Sequence, residues 1–114
     1  MPADPQAYQR MLAEMTAEYR SALPEKLSRI ESLWKELSSD AWSATKYEEL
    51  HRSAHTIAGA AKTFGLPAVS AAARTLEQAL EPLGGSGKAE RDELRRIGAL
   101  IEALSNAAAP PNRE

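Results

Sequence analysis

The chain contains two histidines, and both lie in one short stretch, His51-Arg52-Ser53-Ala54-His55. There is no cysteine, so disulfides, thiolate metal sites and cysteine nucleophiles are excluded. Imidazole is then the side chain best suited to covalent chemistry: neutral, it attacks phosphorus readily, and it can carry a covalent intermediate. Such a site needs an exposed ring with one nitrogen open and the other held by a partner that fixes the tautomer. Laid on a helix at about 3.6 residues per turn, His51, His55, Ala58 and Lys62 form one strip. Leu50, Ala54, Ile57, Ala61 and Phe64 form a separate apolar arc, with Tyr47 at its edge. Gly59 interrupts a run of alanines one turn after His55. A glycine inside a helix costs roughly 1 kcal/mol relative to alanine, so its place here points to close access to the His55 ring. Two histidines one turn apart, with Glu48 nearby, are also spaced to share a metal ion, and a His51/His55 metal-binding helical bundle is an alternative reading.

The segment Ala54-His55-Thr56-Ile57-Ala58-Gly59-Ala60-Ala61-Lys62-Thr63-Phe64-Gly65 resembles the motif of histidine-containing phosphotransfer domains. That family includes stand-alone phosphorelay proteins and the phosphoryl-accepting first domain of chemotaxis histidine kinases. Its pattern runs Ala-His-x-hydrophobic-Lys-Gly, then small residues, then an aromatic or Leu and a Gly. The resemblance implies that His55 accepts the phosphoryl group, that Gly59 gives access to it and that Gly65 ends the helix. It continues through Leu66-Pro67 to Leu76-Glu77, where the family commonly carries a Leu-Glu pair. Glu77 is the candidate to orient His55, as the corresponding Glu does in the chemotaxis branch. Arg74 takes a position where that branch often has another His.

One departure stands out, since the family's Lys is Ala58 here. Lys62, two turns after His55, and Arg74, one turn before Glu77, are the candidates to neutralise the phosphoryl group by charge-assisted hydrogen bonds. Arg74 could equally pair with Glu77 at its helical spacing. The resemblance further implies exchange of the phosphoryl group with an Asp of a response-regulator receiver domain, and dealings with a histidine kinase. His51, Arg52, Ala58, Gly59 and Lys62 are the expected docking residues. No cofactor is expected on this chain. The Mg²⁺ that assists transfer would sit on the receiver, and nothing resembles an ATP site. The loss of the family Lys leaves a second reading open, a docking module that transfers poorly.

These residues need elements to hold them. At 114 residues with a net charge of −2, the chain suits a single domain with one modest core, and nothing in the charge points to nucleic acid or a membrane surface. Alanine, Leu, Glu, Lys and Arg abound and there are six aromatic residues, which favours an all-α class. With no signal-like or transmembrane run, a cytoplasmic monomer is the default. Residues 1–5 read as a frayed lead-in, 6–109 as the helical bundle and 110–114 as a tail or the start of a linker. An apolar stripe from Tyr8 to Leu37 is interrupted by Pro24, which predicts a kink or break near Arg20 to Leu23. Thr45 and Glu48 fit a capping box opening the histidine helix. Pro82 and Gly84 to Gly87 should end the next one, and Glu90, Asp92 and Glu93 favour the first turn of the last. The resulting expectation is an up-down four-helix bundle with a kinked or split N-terminal helix, its second and third helices antiparallel neighbours across a very short connection.

Overall fold

The computed structural model describes residues 4–39 and 42–109. Four helices follow one another: α1 (Pro5–Ser38), α2 (Ala44–Thr63), α3 (Pro67–Ser86) and α4 (Arg91–Ala108). Each packs on its neighbour in sequence, and α1 closes the ring against α4. The four-helix bundle expected from the periodicity is the observed architecture. The proposed tail, residues 110–114, and the first three residues of the lead-in lie outside the described residues.

Capping residues explain the helix starts. The Asp4 carboxylate accepts from the Gln6 backbone N–H at 3.0 Å, and Pro5 occupies the first turn, where its missing N–H costs nothing. Ser43 caps α2, its hydroxyl accepting from the Lys46 N–H at 3.2 Å. The helix therefore opens before Thr45, which lies inside the first turn rather than capping it. A serine in extended conformation with its oxygen on the third amide is already a complete N-cap. In α4 the Glu93 carboxylate accepts from the Glu90 backbone N–H at 2.8 Å, so the acidic first turn acts through a hydrogen bond as well as through the dipole.

Two prolines are carried inside helices. Of the outcomes expected at Pro24, a break does not occur, and α1 runs through it as one element. Leu23 immediately before the proline and Leu27, Ile30, Leu33, Trp34 and Leu37 after it are all buried, so the helix is anchored to the core across the proline. Arg20, whose carbonyl loses its partner, is exposed and open to water. Likewise α3 continues past Pro82 and through Gly84 to Ser86, ending only where Gly87 turns left-handed at φ 69°. Buried Leu80 and Leu83 on either side of Pro82 anchor that turn against the core.

The N-terminal turns of α1 overhang the bundle, with Tyr8, Met11, Leu12 and Met15 exposed. From Leu23 onward the helix contributes to a core completed by Leu50, Ala54, Ile57, Ala58 and Ala61 of α2. Val69, Ala73, Leu76, Leu80 and Leu83 of α3 and Ile97, Ile101 and Leu104 of α4 supply the rest. Two ion pairs tie α1 to α2 from outside: Arg29 Nε meets Glu49 Oε2 at 2.7 Å, and Lys46 meets Glu36. The Arg29 guanidinium, through its hydrogen bonds, holds the Glu49 carboxyl below its ordinary range, and Lys46 does the same for Glu36.

The α2–α3 turn is the joint that matters for the site. Gly65 adopts φ 74°, and the Leu66 N–H reaches back to the Ala61 carbonyl at 2.8 Å. This is the six-to-one bond of a Schellman motif, which a left-handed glycine permits. Pro67 starts α3 almost at once. So short a connection forces α2 and α3 to lie antiparallel and in contact along their length.

Candidate functional site

On that antiparallel pair, residues of α2 and α3 meet in reversed order. Tyr47 donates from its hydroxyl to the Leu80 carbonyl at 2.6 Å near the open end. Ser70 donates from its hydroxyl to the Ala58 carbonyl at 2.6 Å near the turn. Between these two clamps, His55 Nδ1 lies 2.7 Å from Glu77 Oε2. Burial raises the Tyr47 phenol above its ordinary value, with the Gly84 backbone amide pulling the other way. A bonded, largely neutral phenol is the form that donates.

The His55–Glu77 pair is asymmetric. The Glu77 side chain retains 11% of its exposure while the His55 ring retains 69%. A carboxylate can only accept, so the bond places the imidazole proton on Nδ1. In the neutral imidazole the other nitrogen, Nε2, then carries the lone pair, on a largely exposed ring. Glu77 is fixed by packing, being flanked by fully buried Leu76 and lying one turn from fully buried Leu80 and Ala73. The acceptor oxygen is thus built into the bundle, while the nucleophile stands out from it.

The remaining candidate residues separate clearly. Gly59 is exposed, and a methyl group added to it would meet nothing within 4 Å, so the space beside the ring is open as expected. Arg52, Lys62 and Arg74 are exposed. Among the described residues Lys62 and Arg74 make no ion pair, so the Arg74–Glu77 pairing does not form. Ala58 requires correction. It retains only 1% of its surface, facing α3 rather than the exposed strip, so its side chain belongs to the core and not to a docking face. The reason is geometric: three residues on from His55 the helix has turned by about 300°, which carries Ala58 towards α3.

His51 is half-buried and stacked on Tyr47, with ring centroids 6.1 Å apart. Its Nε2 stands 3.9 Å from Glu81 Oε2, and Glu77 and Glu81 are the acids grouped around it. The His51/His55 pairing with Glu48 as a metal set is therefore not the grouping that the bundle assembles. His55 is already committed to Glu77. An open depression of about 550 Å³, lined by Tyr47, Glu48, His51, Arg52, His55 and Glu77, joins these side chains on one surface.

Sequence reasoning passed over Tyr47 as a hydrogen-bonding residue, and Ser70 and Glu81 altogether. A signal for two of the contacts existed. Ser70, Glu77 and Gly84 recur every seven residues on the edge of the α3 apolar stripe, a spacing that keeps residues on one helix face. Each of the three meets α2: Ser70 at Ala58, Glu77 at His55 and Gly84 at the Tyr47 ring.

Among the described residues no helix is long and apolar enough to cross a membrane. Comparison with curated proteins and with solved structures found no match. The profile of the Hpt domain family matches residues 14–107, a span that takes in all of α2 and α3 and nearly all of α4. With His55 exposed, held at Nδ1 by Glu77 and set on the second helix of a four-helix bundle, the chain belongs to the family of histidine-containing phosphotransfer (Hpt) domains.

Proposed function

We infer that the chain acts in phosphorelay signalling, in which histidine phosphotransfer links the proteins of a two-component system, as membership of the Hpt family supports. We propose that His55 is the residue that carries the phosphoryl group, through Nε2, and that it exchanges the group with an Asp of a response-regulator receiver domain. The observation that supports this most directly is the 2.7 Å bond from His55 Nδ1 to the nearly buried Glu77. In the neutral ring it leaves the lone pair on the outer nitrogen of an exposed imidazole, which is the state in-line attack on phosphorus requires. As Nε2 bonds to phosphorus the ring becomes cationic, and the adjacent Glu77 carboxylate stabilises that charge. The Asp–phosphate bond of the donor breaks as the N–P bond forms, and the sequence reverses for onward transfer.

In this reading the chain supplies a placed nucleophile and a docking surface, while the receiver supplies Mg²⁺ and most of the electrostatic catalysis. Gly59 lets the receiver approach the ring. Exposed Arg52, Lys62 and Arg74, with half-buried His51, rim that approach, and Lys62 or Arg74 meets the phosphoryl oxygens in the complex. Ala58 supports the docking face only by packing beneath it.

The test is transfer from a phosphorylated receiver domain or a histidine kinase to the purified chain, followed by detection of acid-labile phosphate. The chain should take the label, His55→Gln should not, and His51→Gln should. Label that survives in His55→Gln overturns the assignment. A chain that binds receivers but never takes label supports the docking-module reading instead.

A further inference from the structure

Next to the proposed acceptor lies a second constellation, which shares Glu77 with it. His51, Glu77 and Glu81 each offer a ligand atom, and these atoms all lie within 4.8 Å of one another. His51 Nε2 is screened from solvent yet has no hydrogen-bond partner. The nearest carboxylate oxygen, on Glu81, is 3.9 Å away, too far for a hydrogen bond. An imidazole nitrogen grouped with two carboxylates and bonded to neither is an incomplete arrangement, and a cation among them would complete it.

We propose that His51, Glu77 and Glu81 bind one divalent transition-metal ion of the Zn²⁺ type. Zinc holds nitrogen and carboxylate ligands at about 2.0–2.2 Å, which sets ligand atoms roughly 3–4 Å apart. The 3.9 Å from His51 Nε2 to Glu81 Oε2 already falls in that range. Glu81 has a side chain 58% exposed and is free to close on an ion, whereas Glu77 and the ring of His51, stacked on Tyr47, are held by the bundle. A set of one imidazole and two carboxylates favours a borderline metal such as zinc over magnesium or calcium, which take oxygen ligands. The depression lined by Tyr47, Glu48, His51 and Arg52 gives an entry path and leaves the remaining coordination position to water.

Sharing Glu77 gives the site a consequence, which rests on the proposed role of His55. The carboxylate that holds His55 Nδ1 would also serve the ion, and a divalent charge there would draw the carboxylate away from the imidazole. Zn²⁺ should therefore depress labelling of His55.

Calorimetric titration of the whole chain with Zn²⁺ alone, without any phosphoryl donor, tests the site separately from the phosphotransfer reading. Binding of one ion per chain is expected. His51→Gln and Glu81→Gln should each weaken it by at least about tenfold, and His55→Gln, which frees Glu77 from the imidazole, should not weaken it. In ¹⁵N spectra of the imidazoles, Zn²⁺ should move the Nε2 resonance of His51. Because Glu81 is exposed, Glu81→Gln keeps the test sound even if His51→Gln unsettles the fold. Absence of binding up to millimolar Zn²⁺ overturns the proposal. So does binding that survives both substitutions, or binding lost in His55→Gln alone. None of these outcomes bears on whether His55 takes label.

Discussion

Glu77→Ala isolates the contribution of the orienting carboxylate. Its bond to His55 Nδ1 is 2.7 Å long, the length of a charge-assisted contact. A bond of that kind contributes roughly 1.5–3 kcal/mol where both partners are shielded. Here one end retains 11% exposure and the other 69%, so the lower part of the range applies. At about 1.4 kcal/mol per factor of ten, the substitution should slow phosphoryl uptake by about tenfold. Glu77→Gln should fall between, because an amide oxygen still accepts from Nδ1–H but carries no charge. Stability should fall by no more than about 1.5 kcal/mol, since the partner left behind is an exposed ring that water can serve. The assay pairs single-turnover transfer from a phosphorylated receiver with ¹⁵N spectra of His55. In the native chain the proton should reside on Nδ1, and in Glu77→Ala it should redistribute towards Nε2. An unchanged tautomer together with an unchanged rate would refute the orienting role.

Four further substitutions probe the surrounding structure. Two helical glycines should respond in opposite directions by thermal melting: Gly59→Ala, with nothing within 4 Å of the added carbon, should stabilise by up to about 1 kcal/mol. Gly84→Ala should destabilise, because its new carbon would lie 2.9 Å from the Tyr47 hydroxyl oxygen and 3.0 Å from a ring carbon, displacing the phenol from the Leu80 carbonyl. Ala58→Lys, which restores the family residue, should lower stability by about 1–3 kcal/mol in chemical denaturation, since the site is 1% exposed and the longer chain must force its way out of the α2–α3 interface. Glu49→Gln should lower the melting temperature near neutral pH and lose its effect in acid. The folded carboxyl sits below its ordinary value of 4.5, so the tether to Arg29 is present above that pH and is lost as pH falls through the lower folded value. Being exposed, it should also weaken with added salt.

Much of this architecture was legible because it depends on local chemistry. The Gly65–Leu66–Pro67 turn names its own geometry, a left-handed glycine followed by a helix-starting proline, and it alone makes α2 and α3 antiparallel neighbours. His55 and Glu77 follow from the family motif, and their meeting follows from that turn. What stayed hidden depended on packing. Pro24 and Pro82 are helix breakers by propensity, yet buried leucines beside each, Leu23 and Leu27 at one and Leu80 and Leu83 at the other, anchor both helices through them. In the sequence Ala58 falls with the exposed residues, because a strip drawn from His51 to Lys62 is wide enough to include it. Only the position of α3 shows that its side lies inside. Ser43 outcompetes Thr45 as the cap because extended backbone at that residue cannot be read from composition. Tyr47 reads as an apolar residue with a polar tip, and the carbonyl that its hydroxyl finds lies on another helix.

The most direct test of the account is to locate the phosphoryl group on the imidazole. The phosphorylated chain, labelled with ¹⁵N in its histidines, should show phosphorus coupled to Nε2 of His55, with Nδ1 still protonated and bonded to Glu77. Phosphorus on Nδ1 of His55, or on either nitrogen of His51, would contradict the claim that the Glu77 bond selects the nucleophile.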